Sequence, residues 1–321
     1  MSESWNQSER DVTPEPAAMG RRSVLKWLGL GTLAFGSGAA LWWWRRRGTD
    51  AQVLGTGGAD GKFASFFPAN QNPRFAEADR PISAEAPVAR YCNFYEFSGN
   101  KDVWRHVGPF QPLPWTLEVY GMVARPCRLD LDDLHRTFPL EERIYRHRCV
   151  EAWAMVIPWT GFPLAALLER AEPLPGARYV RFESFYRPEE APRQKWERLT
   201  WPYTEGLTLA EATNPLAFVA TGMYGHPLLK QNGAPVRLVV PWKYGFKSAK
   251  SIVRIELTAD RPATFWNLLA PHEYGFEANV EPDVPHPRWS QKQERMLGTD
   301  EIRPSMLYNG YAEWVGHLYG A

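Results

Sequence analysis

From residue 91 onward the chain is cut by proline and glycine into short apolar segments, and this punctuation limits what it can fold into. Residues 115–121, 179–185 and 251–257 alternate apolar and polar side chains, the period-two pattern of half-buried strands. Residues 235–241 form a proline-bounded apolar run, as a buried strand should. Arg125-Pro126-Cys127 reads as a turn, and 129–135 as a strand end running into a helix start. Residues 162–171 read as a short helix with proline near its start, and 205–213 as helical. There is no internal repeat and no low-complexity tract. Short strands, scattered short helices and proline-bounded loops predict an α+β domain of mixed sheets. The 28 prolines and 15 tryptophans suit a rigid, loop-rich globular protein.

The first 47 residues read differently. Arg21 and Arg22 precede the apolar stretch 27–44, the order of a twin-arginine export signal. No Ala-x-Ala site follows, and Trp42-Trp43-Trp44 with Arg45-Arg46-Arg47 also suits an uncleaved N-terminal anchor at a membrane interface. Either outcome predicts a periplasmic protein carried by the Tat translocase, a route for chains already folded, often around a cofactor. Residues 48–90, rich in Gly, Ala, Pro and Asn, read as linker and extended wrap, which leaves 91–321 as the functional domain. A formal net charge of +1 gives no basic footprint for nucleic acid.

Cys92, Cys127 and Cys149 are too few for a disulfide scaffold. Cys149 lies in Arg146-His147-Arg148-Cys149-Val150-Glu151-Ala152-Trp153, between basic residues that favour a thiolate and one carboxylate. On its own the stretch suits either a small buried hydrophobe or a metal-binding thiolate. Three further polar loops stand out, at 93–97, 231–237 and 242–250. Each has a plainer reading: aromatic packing for the first, an Asn232-Gly233 turn for the second, a solvated face for Lys243, Lys247 and Lys250. Together their arginine, lysines and glycine-flanked amides make an inventory for a phosphate-bearing ligand. The chain has no Walker loop, no strand-borne Gly-x-Gly-x-x-Gly and no Cys-x-x-Cys-His, so it offers neither an ordinary nucleotide fold nor a c-type haem.

In order, Asn93-Phe94-Tyr95-Glu96-Phe97, Arg148-Cys149-Val150-Glu151-Ala152-Trp153, Gln231-Asn232-Gly233-Ala234-Pro235-Val236-Arg237 and Pro241-Trp242-Lys243-Tyr244-Gly245-Phe246-Lys247 resemble one family. It is that of the periplasmic protein-methionine-sulfoxide reductase catalytic subunits, molybdopterin enzymes with the sulfite oxidase catalytic fold. The resemblance runs from about Tyr91 to Leu318, through Trp266-Asn267 and His286-Pro287-Arg288-Trp289-Ser290. It implies one molybdenum held by one pterin and by the Cys149 thiolate. It also implies pterin contacts from Tyr95, Glu96, Asn232 and Arg237, and from Ser184, where threonine is usual. Ser248, Ala249 and Lys250 would complete a phosphate cradle. Cys92 stands at a cofactor position where the family usually carries asparagine, and is expected to stay reduced, since a bond to Cys149 would remove the metal ligand.

Asn93 and Glu151 are the implied polar groups near the metal. Glu151 is expected to relay protons or orient the substrate, or else to pair with Arg148 or Arg146. A carboxylate there disfavours sulfite, a small dianion, and tolerates neutral methionine sulfoxide. Reduction of sulfoxides in exported proteins is therefore expected, ahead of sulfite oxidation or reduction of other small S- or N-oxides. A non-catalytic exported anion-binding protein is the reading of a different class. The resemblance further implies a haem-containing integral membrane electron donor. With no second, dimerising β-domain after the catalytic one, it implies a monomer.

Overall fold

The computed structural model describes residue 50, residues 52–54 and residues 61–320. The twin-arginine pair and the apolar stretch 27–44 lie outside the described residues. Among the described residues, no helix is long and apolar enough to cross a membrane.

The strands follow in chain order as β1 (Asn70–Gln71), β2 (Thr116–Gly121), β3 (Cys127–Asp130), β4 (Glu141–Arg148), β5 (Trp153–Pro163), β6 (Tyr179–Ser184), β7 (Thr204–Thr208), β8 (Phe218–Met223), β9 (His226–Pro227), β10 (Arg237–Val239), β11 (Ile252–Thr258), β12 (Gln293–Met296) and β13 (Ile302–Pro304). They form two mixed sheets, and the fold is α+β. One sheet runs β3-β2-β11-β6-β7, with β2 and β11 parallel and the other pairs antiparallel. The other is built on β5, which pairs with β4 along its length, with β12 at its start and with β8 at its end.

Sequence explains the contrast between the two central strands. Every residue of β5 from Trp153 to Phe162 is buried, so an apolar run is required on both faces. Burial along β11 nearly alternates, so its polar positions meet water. Gly161 lets β8 approach β5 closely: a Cβ there would lie 2.0 Å from the Val219 carbonyl oxygen, and the register shifts between Thr160 and Gly161.

Two local readings change. Residues 204–208 form β7 and hydrogen-bond to β6, so only Leu209–Ala212 of the expected helix is helical. The helix starts there because Thr208 and Glu211 close a reciprocal capping box. Within the segment read as linker, Glu85–Arg90 is a helix that buries Val88 and Ala89. Ahead of it, residues 61–84 are clasped onto the β4–β5 hairpin. β1 pairs with β4, Ser83 N–H donates to the Val156 carbonyl, and Phe75 packs on the Tyr145 and Trp314 rings. Arg80 reaches across to the buried carboxylate of Glu294.

Candidate active site

Several loops converge on one cavity. Its polar lining comes from residues 92–96, the β4–β5 turn with His147, Asn232 with Arg237, and residues 248–250. Every site residue expected from the sequence lines it except Ser184. The Ser184 hydroxyl donates instead to the Lys250 carbonyl at 2.7 Å, so it supports the lining from behind.

Cys149 opens the β4–β5 turn. Its N–H donates to the Trp153 carbonyl, and its own carbonyl accepts from the Ala152 N–H. Ala152 takes a left-handed φ of 65° to close this turn, a conformation that costs about 1 kcal/mol outside glycine. Arg148 is fully buried beneath it, bound to the Cys149 carbonyl and at 3.3 Å from Glu294. Arg146 points away to Asp79. The cations that flank Cys149 in sequence are therefore spent on other partners. Burial, with Glu151 adding to it, pushes the thiol up to about 12, so the neighbouring cations favour the thiolate as expected but are outweighed.

Glu151 does not pair with Arg148 or Arg146. Its carboxylate takes the Lys101 ammonium and accepts from the Trp153 indole at 3.0 Å and from the Asn93 amide at 3.5 Å. The same amide lies 3.7 Å from Cys149 Sγ. Beside this cluster the wall is aromatic: Tyr95, Trp266 and Tyr274 stand in sequence of ring contacts, with centroids 4.9 Å apart at each step.

The opposite chemistry appears around Arg237. Its guanidinium lies over the Trp159 ring and bonds only to carbonyl oxygens, those of Asn232, Leu238 and Ser248. Burial lowers it to about 10. Lys250 is likewise lowered, by burial first and then by Arg237, and its ammonium lies 5.6 Å from the Phe94 ring. Neither cation forms an ion pair among the described residues. Burial also raises Glu96, which lines the same cavity. Cys92 Sγ donates to the Gln231 carbonyl at 3.2 Å, and all three cysteines are free. Lys243 and Lys247 are neither a solvated face nor cavity groups, being buried on Glu211 and Glu205.

Other contributors were not singled out as site residues. His147, inside the cysteine stretch, lines the cavity with its ring against Gly245, and nothing in the sequence pointed it inward. Lys101 sits outside every motif quoted above. Tyr274 belongs to a loop without periodicity.

The lining fits a bound molybdopterin. The Asn232 side-chain oxygen is sealed from solvent without a partner, and buried polar atoms of that kind call for a ligand donor. The unpaired Arg237 and Lys250 call for an anion, and the buried Cys149 thiol, whose Sγ is within reach of the Asn93 amide, suits a soft metal. The match to a known family agrees. Residues 106–266 match the family described as "Oxidoreductase molybdopterin binding domain". That span takes in Cys149, Ser184, Asn232, Arg237 and residues 248–250, and leaves out the 92–96 loop. Among solved structures, the sulfane dehydrogenase SoxCD from Paracoccus pantotrophus is similar at 16% identity with a TM-score of 0.42. The match covers 77% of this chain and 60% of that one, so the chain spans less than two thirds of that protein's length.

Proposed function

This chain belongs to the family of molybdopterin-binding oxidoreductase domains, and from that membership we propose that it reduces methionine sulfoxide in exported proteins, with Cys149 as the thiolate that holds molybdenum. The molybdenum–pterin group, when bound, supplies two-electron oxygen-atom exchange. The net reaction takes a sulfoxide, two electrons and two protons to a thioether and water.

Arg237 and Lys250 would neutralise the cofactor phosphate, with residues 248–250 closing the cradle. Asn232 would accept from the pterin through its otherwise orphaned oxygen, and Tyr95 and Glu96 would help to hold the group from the same lining. Cys92 would line the group's site without donating to it, because its S–H is committed to Gln231. Glu151 is engaged by donors from Lys101, Trp153 and Asn93, so its part is to orient the pocket rather than to carry protons.

The preference for a sulfoxide rests on one observation. Lys101 and Arg148, the cations in contact with the Cys149 turn and its polar cluster, are paired with Glu151 and Glu294, and the cavity's two unpaired cations, Arg237 and Lys250, are taken on this reading by the cofactor phosphate. A sulfite dianion would then face the Glu151 carboxylate and an aromatic wall with no uncommitted cation to balance its charge. Neutral methionine sulfoxide meets Trp153, Tyr95, Trp266 and Tyr274, and sulfur packs favourably on aromatic rings. On this reading a haem-containing integral membrane subunit supplies the electrons. Residues 1–47 then serve as the Tat signal or anchor of a periplasmic monomer.

The test is rapid mixing of the molybdenum-loaded protein. Reduced protein is expected to be reoxidised by methionine sulfoxide, and oxidised protein to be inert to sulfite. Rapid reduction by sulfite without reoxidation by the sulfoxide would reverse the assignment. Folded protein from molybdate-fed cells that carries no molybdenum would remove it altogether.

A further inference from the structure

The ammonium of Lys101 lies at the centre of the polar cluster beside Cys149, contacting both the Asn93 amide oxygen and the Glu151 carboxylate. The residue is only 9% exposed. Its backbone is tied to the same loop, since the Cys92 N–H donates to the Lys101 carbonyl at 3.2 Å.

An ammonium only donates, so it sets the orientation of the amide it touches. With Oδ1 of Asn93 on Lys101, the amide nitrogen is left to face Cys149 Sγ at 3.7 Å and Glu151 at 3.5 Å. Without Lys101 the amide is free to turn over and present its oxygen to the sulfur. Glu151 would lose its one cationic partner in a largely buried place, with its side chain 17% exposed.

We propose that Lys101 is a positioning residue for the metal-binding thiolate: it holds the Asn93 amide with its N–H₂ toward Cys149 and cancels the Glu151 charge next to it. Both effects draw electron density from a sulfur-ligated metal. Hydrogen bonds to the sulfur and nearby charge are established means of setting a metal's reduction potential. The inference rests on Cys149 as the metal ligand and is independent of the substrate assigned.

The measurement is the reduction potential and paramagnetic signal of molybdenum-loaded protein, with metal content determined alongside. In Lys101→Met the potential is expected to fall and the signal to change at unchanged molybdenum content, and Lys101→Arg to recover part of both. Because the single variant leaves Glu151 unpaired, Lys101→Met/Glu151→Gln is measured as well. That protein folds without a lone carboxylate and should show a smaller fall of the same sign. A wild-type potential and signal in either Met-containing variant overturns the proposal. Cys149→Ser is the control: if it keeps the wild-type signal, the ligand assignment fails. If it alone alters the signal, the failure belongs to Lys101.

Discussion

At the scale of single residues, the thiol of Cys149 receives little electrostatic help from its own chain. Burial and Glu151 oppose the thiolate, and Lys101 and Arg148 offset them only in part. A metal cation at the sulfur reverses that balance, so deprotonation and metal binding are coupled events. Room for that event depends on Gly245, where a Cβ would lie 2.5 Å from His147 Nε2. Gly245→Ala should drive the imidazole into the cavity and weaken cofactor retention about tenfold, a loss of about 1.4 kcal/mol. Molybdenum analysis after dialysis, with circular dichroism showing the fold intact, checks this.

Among the elements, the helix Glu85–Arg90 delivers the chain directly into the 92–96 loop, so whatever anchors the helix also anchors one wall of the site. Its first residue, Glu85, holds the His226 ring on β9 at 2.6 Å. That hydrogen bond raises the histidine above its ordinary value. A raised folded value means the stabilisation is fully present below about pH 6.5 and fades as pH climbs through the folded value. His226→Gln should therefore lower the melting temperature more at pH 6 than at pH 9. The pair is partly exposed, so the difference should be no more than about 1 kcal/mol. Equal losses at both pH values would remove the linkage. Elements whose pattern is set by one sheet face were legible in sequence: β2, β6 and β11 fall where alternation put them, and the apolar run after the Cys149 turn is β5. Residues 205–208 were not, because their strand identity comes from pairing with β6, a partner distant in sequence. Lys101 and His147 were hidden for a related reason, since a side chain's inward aim depends on the loops packed around it.

For the whole molecule, the decisive fact is dispersion. The cavity wall takes residues from Cys92 to Tyr274, drawn from both sheets' connections and from loops between them. No contiguous stretch contains enough of the wall to hold the group, so binding and global folding are one equilibrium. A ligand at a hundred times its dissociation constant adds about 2.7 kcal/mol to the native state. The loaded protein should therefore melt at a higher temperature than the same protein prepared without molybdate, and resist limited proteolysis longer. Indistinguishable melting curves would show that the cavity is fully formed and stable without its occupant. The orphaned Asn232 oxygen and the unpaired Arg237 and Lys250 give this a cellular meaning. A chain carrying such unmet groups is poorly suited to survive alone, so its abundance should follow molybdenum supply. Scarcity of the metal would then thin the population of the protein through turnover, before any question of catalytic rate arises.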